Sequence, residues 1–299
     1  MGTGLPPQAA FIGAQSSPTK PITHGTPASS TNDPVTVILD GRRAARERRD
    51  RLAVEVRSLR SPRRPTLATL RVDDDPRSDR HIGIKVRAAA EVGIALRRVD
   101  LPASTSPPVV EAAVDELVAD GGVDGVFVQL PLAPELDAVP VLDRIPAGKD
   151  VDGLGSASRS CWEQGGPAFR PCAAEAVVGL LERYGIPVTG VEVVVVGHVA
   201  GLELLLGPVI EVGPGSPGLA TVTAGAGLLV CAAGRPGLIG RRHVRPGATV
   251  VDVAGDVDRA AVTGHAGALV PMPGGVGPMT VAVLLEHTVR AAARDGTVP

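Results

Sequence analysis

The sequence is poor in aromatic residues and in cysteine. Aromatic side chains make up 2% of its 299 residues, while apolar types together reach 44%. A buried core therefore has to be built from Val, Leu, Ile and Ala. The three cysteines, Cys161, Cys172 and Cys231, form no CxxC pair and no even framework. That excludes a disulfide scaffold and predicts reduced thiols in a cytoplasmic protein.

Long apolar runs and a large net charge are also missing. No run approaches the roughly 20 residues of a membrane-spanning helix, and the N-terminus has no basic segment followed by an apolar stretch, so no signal peptide is predicted. The formal net charge is -2, which argues against a surface for nucleic acid or another polyanion. We expect neither a membrane nor a nucleic-acid partner.

The order of strand and helix patterns predicts an α/β fold of two domains. Residues 1–34 are rich in Pro, Ser, Thr and Gly without periodicity, which predicts a disordered tail. Beyond them strand and helix patterns alternate, as in parallel sheets. We expect an N-terminal α/β catalytic domain at 35–155, completed by a C-terminal helix at 281–299. A Rossmann-like dinucleotide-binding domain is expected at 156–280, with the active cleft between the domains.

Local signals place the individual elements. Asp75 is a candidate helix N-cap, Pro76 suits the first helical position, and Gly93 suits the helix end. Predicted strands cover 35–39, 66–72, 95–99, 125–130, 193–196, 228–233 and 249–253, and predicted helices cover 42–59, 76–92, 109–119, 173–184 and 281–293.

The helix after Asp75 carries the first candidate for chemistry. His81 and Lys85 are four residues apart and share one helix face, one turn apart. Lysine is scarce, with only Lys20 and Lys149 besides Lys85. A buried lysine with a lowered pKa can shuttle a proton. Spacing alone favours the alternative, a solvated helix face, because charged residues surround the pair.

Two further segments place polar side chains near the ends of predicted elements. Gln129 ends a buried strand, at the place where open α/β sheets bind ligands, although a Gln bonded to local backbone is the alternative. Residues 149–153, Lys-Asp-Val-Asp-Gly, put Asp152 in a loop. A carboxylate there can accept hydrogen bonds from a donor-rich heterocycle. A turn stabilised by Asp and Gly explains the loop equally well, and no nearby His or further carboxylate supports a metal site.

Two glycine-rich segments complete the candidates. Residues 271–280, Pro-Met-Pro-Gly-Gly-Val-Gly-Pro-Met-Thr, predict a stiff loop before a helix, able to pack its backbone against a flat ligand. Its density of Pro and Gly disfavours an ordinary connector. Residues 197–201, Gly-His-Val-Ala-Gly, follow a strand and precede a helix, which is the dinucleotide-binding order. A plain strand-to-helix turn explains the second segment about as well.

Taken in order, these segments resemble the bifunctional methylenetetrahydrofolate dehydrogenase/methenyltetrahydrofolate cyclohydrolase family over about residues 35–293. The resemblance also uses 170–172, Arg-Pro-Cys. It implies a tetrahydrofolate derivative as substrate and NADP or NAD as hydride acceptor. It also implies hydration of the methenyl product to 10-formyltetrahydrofolate, and a homodimer.

The resemblance also implies a role for each matched residue. Lys85 matches the lysine that transfers protons during hydration, Gln129 the residue that hydrogen-bonds this lysine, and Asp152 the residue that holds the pterin edge. His81, at the family's tyrosine position, is the fourth implied catalytic residue. The implied folate contacts are Ser78, Leu130, Pro273, Gly274 and Gly277, and the implied cofactor contacts are Gly197, His198, Gly201, Ser216 and Thr280.

The first departure from the family pattern is His81, where the family usually has a tyrosine that stacks on the pterin. An imidazole is flat but smaller, and it titrates near neutral pH. We therefore expect weaker stacking and a hydration rate that depends more steeply on pH.

The second departure is the cofactor loop. The family pattern there is close to Gly-x-Ser-x-x-Val-Gly-x-Pro, whereas the turn at 197–201 runs directly into Leu202 and lacks the Ser and the Pro. The segment 209–216 contains no Arg to neutralise a 2′-phosphate. We expect weak NADP binding and weak or absent hydride transfer. NAD in place of NADP, or no cofactor, stays open.

Two alternatives remain beside a bifunctional enzyme of one-carbon folate metabolism. One is a paralogue with cyclohydrolase activity only, and the other is a non-catalytic folate-binding or regulatory protein. An unrelated Rossmann dehydrogenase is disfavoured, because that fold has no need for the Pro-Gly-Gly-Val-Gly-Pro loop.

Overall fold

The computed structural model describes residues 35–59 and 63–294. The predicted tail at 1–34 and the last residues of the predicted helix at 281–299 lie outside the described residues. Within the described part, two parallel sheets with helices packed against them confirm the predicted α/β class. No helix there is both long and apolar enough to cross a bilayer.

The secondary-structure elements alternate along the chain. The strands are β1 (Val37–Ile38), β2 (Thr66–Val72), β3 (Ala95–Leu101), β4 (Gly125–Val128), β5 (Val193–Gly197), β6 (Ile210–Val212), β7 (Leu228–Ala232), β8 (Thr249–Asp252) and β9 (Ala268–Val270). The helices are α1 (Gly41–Ser58), α2 (Pro76–Val92), α3 (Pro107–Ala119), α4 (Ala138–Leu142), α5 (Ser156–Glu163), α6 (Cys172–Arg183), α7 (Leu202–Leu206), α8 (Leu219–Thr223), α9 (Arg259–Val262) and α10 (Val276–Arg294).

The strands divide into two sheets. The smaller has the order β3-β2-β4, and the larger has the order β1-β9-β8-β7-β5-β6. All described pairings are parallel. The four valines at 193–196 in β5 are all buried, as expected for a strand covered on both faces. In open parallel sheets, ligands bind at the carboxyl ends of the strands.

The first strand differs from the prediction in length and in place. It spans two residues rather than the predicted 35–39, and it pairs with β9 through Val37 opposite Ala268 and Ile38 opposite Leu269. The chain thus begins on the larger sheet before α1 leads to the smaller one. Pairing between residues so far apart in sequence leaves no local signal.

The helix before the lysine begins and ends where the sequence predicts. Asp75 accepts a hydrogen bond from the Arg77 amide, Pro76 occupies the first turn of α2, and Gly93 ends the helix at φ 86°. The first helix is anchored in the same way, because Asp40 accepts from the amides of Arg42 and Arg43.

The last helix begins earlier than predicted. It starts at Val276 rather than 281, so Gly277 and Pro278 lie in its first turn. A proline is tolerated there because the first amides of a helix have no acceptor inside it. The helix packs against α1, α2 and α6. The predicted loop is thereby shortened and ends at Gly275.

Candidate active site

One cleft of about 1000 Å³ collects most of the residues singled out in the sequence. Its walls come from α1, α2, the ends of β4 and β5, the loop after Asp150, and the start of α10. Predicted residues that line it are His81, Lys85, Gln129, Leu130, Asp152, His198, Pro273, Gly274, Gly277 and Thr280. Ser78, Gly197, Gly201 and Ser216 are not among its lining residues.

Lys85 is a buried cation at the base of this cleft. Lys85 is only 8% exposed, and its Nζ donates a hydrogen bond to Oε1 of Gln129 at 3.0 Å. Nζ also lies 4.4 Å from the centroid of the Phe127 ring. Burial lowers the pKa of Lys85, while the nearby Asp152 and Cys172 oppose that shift. The solvated alternative for this helix face is wrong at Lys85, although His81 is exposed to the cleft.

Gln129 is oriented by the strand end that carries it. Its amide donates to Leu70 O at 2.8 Å, which continues the pairing of β4 with β2. Its side-chain Nε2 donates to Leu130 O at 2.6 Å. Because Nε2 is held by that bond, Oε1 of the same side chain points at Lys85 and accepts a hydrogen bond from its Nζ. The local-backbone alternative and the functional interpretation are thus both present in one side chain.

The loop at 149–153 separates structural from ligand-facing residues. Lys149 donates through Nζ to Val118 O and Asp120 O, each at 2.9 Å. Asp150 is buried and accepts from the amides of Gly153 and Gly155 and from the Ser158 hydroxyl. These bonds build the turn that composition suggested. Asp152 takes no part in that network and lines the cleft.

The environment of Asp152 changes its acidity. Burial and the nearby Asp150 together raise the pKa of this carboxyl from 3.8 to about 6, against the opposing effect of Lys85. Above that pH the side chain is a carboxylate and accepts hydrogen bonds only. It therefore suits the amino and N–H edge of a heterocycle.

Two buried residues that sequence reasoning did not single out as site residues hold this loop from behind. Val151 O accepts from the Cys172 thiol at 3.2 Å and lies 2.9 Å from Nδ1 of His287. Nε2 of His287 lies 3.2 Å from Oε2 of Glu175. Burial raises the pKa of Cys172 well above 9, so its thiol stays protonated and donates. The only sequence signal for His287 is a polar residue on the apolar face of α10.

The Pro-Gly loop approaches the protein more closely than a side chain would allow. Gly274 has φ 104°, and its carbonyl accepts from the Arg42 amide at 3.0 Å. A Cβ on Gly275 would lie 2.4 Å from Val270 Cγ1, and one on Gly41 would lie 1.9 Å from Gly275 O. These glycines let the loop backbone lie between α1 and β9, where it forms one wall of the cleft.

The dinucleotide side is less well provided. Gly197 has φ 92°, but a Cβ there would meet Ala232 O at 2.4 Å, so packing alone explains the glycine. The helix that follows, α7, has only five residues. His198 Nδ1 lies 3.0 Å from Glu211 Oε1. The Glu211 carboxylate therefore lies beside the turn that follows β5.

The remaining cofactor candidates are engaged elsewhere. The Thr280 hydroxyl donates to Val276 O, one turn earlier in α10. The amide of Ser216 donates to Gly213 O within a turn outside the cleft. Gly201 has φ 73° and packs on Pro171, where a Cβ would lie 2.8 Å from Cγ. Of the five, only His198 and Thr280 line the cleft.

Comparisons with known proteins agree with this arrangement. Residues 39–152 match the model of the tetrahydrofolate dehydrogenase/cyclohydrolase catalytic domain, and residues 171–296 match its NAD(P)-binding domain. The chain is 43% identical over 284 residues to the bifunctional protein FolD 2 of Frankia casuarinae, covering 87% of this chain and 98% of that protein. It is 41% identical over 276 residues to the bifunctional protein FolD of a Synechococcus species, covering 86% and 94%.

Solved structures give the same result. The methylenetetrahydrofolate dehydrogenase-cyclohydrolase of Trypanosoma brucei, complexed with NADP cofactor and inhibitor, superposes with a TM-score of 0.82 at 31% identity, covering 88% of this chain and 99% of that one. A methylenetetrahydrofolate dehydrogenase from the silkworm Bombyx mori gives a TM-score of 0.79 at 32% identity, covering 87% and 99%. The chain therefore belongs to the tetrahydrofolate dehydrogenase/cyclohydrolase family, with a catalytic domain followed by an NAD(P)-binding domain, and is an enzyme of folate one-carbon metabolism.

Proposed function

We propose that this chain oxidises 5,10-methylenetetrahydrofolate to the methenyl form and hydrates that product to 10-formyltetrahydrofolate, with Lys85 as the proton-transfer group. The observation that carries the proposal is the buried contact of Lys85 Nζ with Gln129 Oε1 in a cleft that Asp152 also lines. A lysine with this lowered pKa supplies a neutral amine nearer to neutral pH than a solvated lysine does.

The hydration step needs a base and then an acid at one position. Water adds to the methenyl carbon and gives a proton to the Lys85 amine, which forms the ammonium ion. The bond from that carbon to one ring nitrogen then breaks, and the ammonium returns its proton to the departing nitrogen. The added hydroxyl releases its own proton to solvent as it becomes the carbonyl of the formyl group. Gln129 Oε1 accepts a hydrogen bond from Nζ throughout and keeps the amine in place.

The folate is oriented by groups around this amine. The Asp152 carboxylate accepts from the pterin edge, and the loop at 271–275 presents backbone to the flat ring. Leu130, Pro273, Gly274 and Gly277 line the same cleft. His81, one helical turn from Lys85, takes the place beside the ring that the family gives to tyrosine. The loop carrying Asp152 is held from behind by Cys172 and His287.

The residues present fit a nicotinamide dinucleotide in part. The turn after β5 opens into the cleft through His198, Val199 and Ala200, at the sheet edge where dinucleotides bind. When bound there, NAD(P) supplies the acceptor for the hydride of the methylene substrate. The turn at 197–201 would hold its pyrophosphate through backbone amides. Glu211, by its charge, opposes the 2′-phosphate of NADP and not the 2′-hydroxyl of NAD.

The proposed division into a folate domain at 35–155, completed by α10, and a dinucleotide domain at 156–280 rests on the packing of α10 on α1 and α2. Pairing of β1 with β9 modifies that division, because it joins the start of the first domain to the larger sheet.

Two assays on one purified preparation test the proposal. Methenyltetrahydrofolate alone is expected to lose its absorbance faster than in buffer, and methylenetetrahydrofolate with NADP or NAD is expected to form reduced nicotinamide. Failure of the first reaction would overturn the role of Lys85, and absence of both would leave a binding protein.

We also propose that the protein is a cytoplasmic homodimer, as the family resemblance implies. Light scattering coupled to gel filtration tests the oligomeric state, with a mass of twice 30.4 kDa expected and a monomer mass contradicting it. Fractionation of cells that express the chain tests the compartment.

A further inference from the structure

One aromatic ring lies against the amine of Lys85. The sequence has three phenylalanines, one tryptophan and one tyrosine, so aromatic rings are rare in this chain. One of them is Phe127 in β4, which lines the cleft and is only 7% exposed. Lys85 Nζ lies over its ring at 4.4 Å from the centroid, inside the roughly 6 Å at which a ring face attracts a cation. The proton transfer described for Lys85 makes no use of this ring.

Phe127 and Gln129 present their side chains on the same side of one extended segment. They are two residues apart, and successive side chains of a strand point to opposite faces. The core shows this alternation, because Phe127 packs in one hydrophobic cluster while Val126 and Val128 belong to another. Lys85 of α2 therefore meets an amide oxygen and an aromatic face on the same side of the chain.

These two contacts account for both N–H groups of the neutral lysine amine. Gln129 Oε1 accepts one of them at 3.0 Å. The face of the Phe127 ring carries the negative part of the ring's quadrupole and attracts the other. With the bond to Cε, they occupy three of the four tetrahedral directions at the nitrogen atom. The lone pair takes the remaining direction.

We propose that Phe127 is a positioning residue for Lys85: its ring and Gln129 Oε1 hold the two N–H groups of the amine, so that the nitrogen lone pair points into the cleft toward the water that adds to the substrate. The inference deepens the proposed function and rests on it. When water gives its proton to this lone pair, the new N–H of the ammonium lies along the same direction. The proton therefore returns to the substrate from the place where it was taken.

The ring also affects the pKa of Lys85. Burial lowers that pKa, and Asp152 and Cys172 oppose the shift. Phe127 opposes it too, because an aromatic face stabilises the charged form of lysine. Since hydration needs the neutral amine as its base, the rate should rise with pH through this pKa. A ring face that attracts cations less strongly should lower the pKa and move that rise to lower pH.

The test changes the ring face and leaves the charged groups of the cleft in place. Those that share the cleft with Lys85 include His81 and Arg87 on α2, Arg42, Arg46 and Arg49 on α1, and Asp152 in the loop after β4. Phe127 is replaced, at this position alone, by phenylalanines with one, two or three ring fluorines. Fluorine withdraws charge from the ring face while the ring keeps nearly the same shape, so packing is preserved.

The first readout is the titration of the Lys85 side chain, followed by NMR on protein with labelled lysine. The chain has two other lysines, and Lys85→Arg identifies the signal by removing it. We expect the midpoint to fall with each fluorine, by about 0.5 to 1.5 pH units in total, and the rise of the hydration rate to move with it.

The second readout is the effect of Phe127→Leu on the rate. This variant keeps an apolar side chain but removes the ring face that orients the amine. We expect kcat for hydration, measured at a pH above its rise, to fall about three- to ten-fold while KM stays within about two-fold. The thermal transition checks folding, and the fluorinated proteins keep the test valid if the leucine variant folds poorly.

A matched control is the same fluorination at Phe169. That ring is also buried, but its centroid lies 4.8 Å from that of the His287 ring, and Phe169 does not line the cleft. The Lys85 titration should stay within about 0.2 pH units, because no lysine lies over this ring. Equal displacements from the two positions would show that the effect is not local and would overturn the proposal.

The outcomes separate this inference from the proposed function. Absence of hydration by the wild type contradicts the proposed function and the inference with it. Normal wild-type hydration with a Lys85 titration that the fluorines at Phe127 do not move contradicts the positioning role alone. A titration that moves while Phe127→Leu keeps the wild-type kcat would show that the ring tunes the charge of Lys85 without orienting it, which also overturns the proposal.

Discussion

The two halves of the cleft differ in how completely their side chains match the ligand they face. On the folate side, Lys85, Gln129 and Asp152 are brought together from three segments. Lys85 and Gln129 are hydrogen-bonded to each other, and Gln129 is also held by the Leu130 carbonyl. On the dinucleotide side, the glycines are explained by packing, and the turn after β5 carries a contact of His198 with the Glu211 carboxylate. The family fold is therefore complete, whereas the side chains on the folate side match their ligand better than those on the dinucleotide side.

The largest effect is expected on the folate side of the cleft, from a substitution of Lys85. Lys85→Arg keeps the positive charge but removes the group that can lose a proton, because a guanidinium stays protonated. We expect hydration of methenyltetrahydrofolate to fall by about 100-fold or more, since general acid–base catalysis contributes that much. Folate binding should survive, as measured by fluorescence or calorimetric titration.

The other lysine in the described part of the chain is the control. Lys149 donates only to the backbone carbonyls of Val118 and Asp120 in this structure. Lys149→Arg keeps charge and donors, so hydration should stay within about two-fold of wild type. Equal losses in the two variants would show that the effect of Lys85→Arg comes from damage to the fold.

The second effect separates stability from function at Asp152. Asp152→Asn removes an ionised acceptor for the pterin edge, and the loss of a hydrogen bond to a charged group is expected to raise KM about ten-fold or more. Because the folded-state pKa of about 6 exceeds the ordinary 3.8, ionisation destabilises the fold. That cost grows between those two pH values and is complete above the higher one.

The amide side chain of the Asp152→Asn variant is neutral, so this variant has no free-energy cost of ionisation at that position. We therefore expect Asp152→Asn to be more stable than wild type at pH 8, by up to about 3 kcal/mol, and to show little gain near pH 4. Denaturant unfolding at both pH values measures this. Asp150→Asn is the matched control, because Asp150 accepts three hydrogen bonds that build the loop, and it should lose stability at pH 8. A destabilised Asp152→Asn protein would contradict the burial argument.

A smaller effect concerns the histidine beside Lys85. The His81 imidazole is smaller than the tyrosine ring that the family has at this position. His81→Tyr is expected to lower the KM for methenyltetrahydrofolate about two- to three-fold through the larger ring. An unchanged KM would show that His81 does not stack on the substrate.

The smallest effect is expected on the dinucleotide side of the cleft, where a substitution of Glu211 should change the affinity for NADP. Glu211→Ala removes the carboxylate beside His198 and should tighten NADP about three- to ten-fold while leaving NAD within about two-fold, as seen by calorimetry. The control is Glu203→Ala, which removes a carboxylate of α7 that pairs with Arg159 of α5 and should change the affinity for neither cofactor. Equal tightening of NADP and NAD would show that Glu211 does not act on the 2′-phosphate.

Much of the fold could be predicted from the sequence because its signals are local. Asp75, Pro76 and Gly93 mark the ends of α2 through their own backbone preferences, and apolar runs mark the buried strands. The pairing of β1 with β9 could not be predicted, because it joins residues far apart in the chain. The predicted start of the last helix at 281 was also wrong, because α10 begins at Val276. Glycine and proline suggest a loop unless their tolerance in the first turn of a helix is considered.

The features of the site also divide into those with a local sequence signal and those that depend on contacts between distant segments. Lys85, Gln129 and Asp152 carry motif signals, and the structure places all three in one cleft. Their roles remain predictions. The support of the Asp152 loop by Cys172 and His287 depends on the packing of α6 against α10, which no local sequence signal shows.

Calorimetric titration of NADP into the wild-type protein tests the difference between the two halves most directly, with hydration assayed on the same sample. The account predicts an NADP dissociation constant weaker than about 100 μM in a protein that hydrates methenyltetrahydrofolate readily. Low-micromolar NADP binding accompanied by rapid hydride transfer would contradict it and would show that the short turn after β5 suffices for the cofactor.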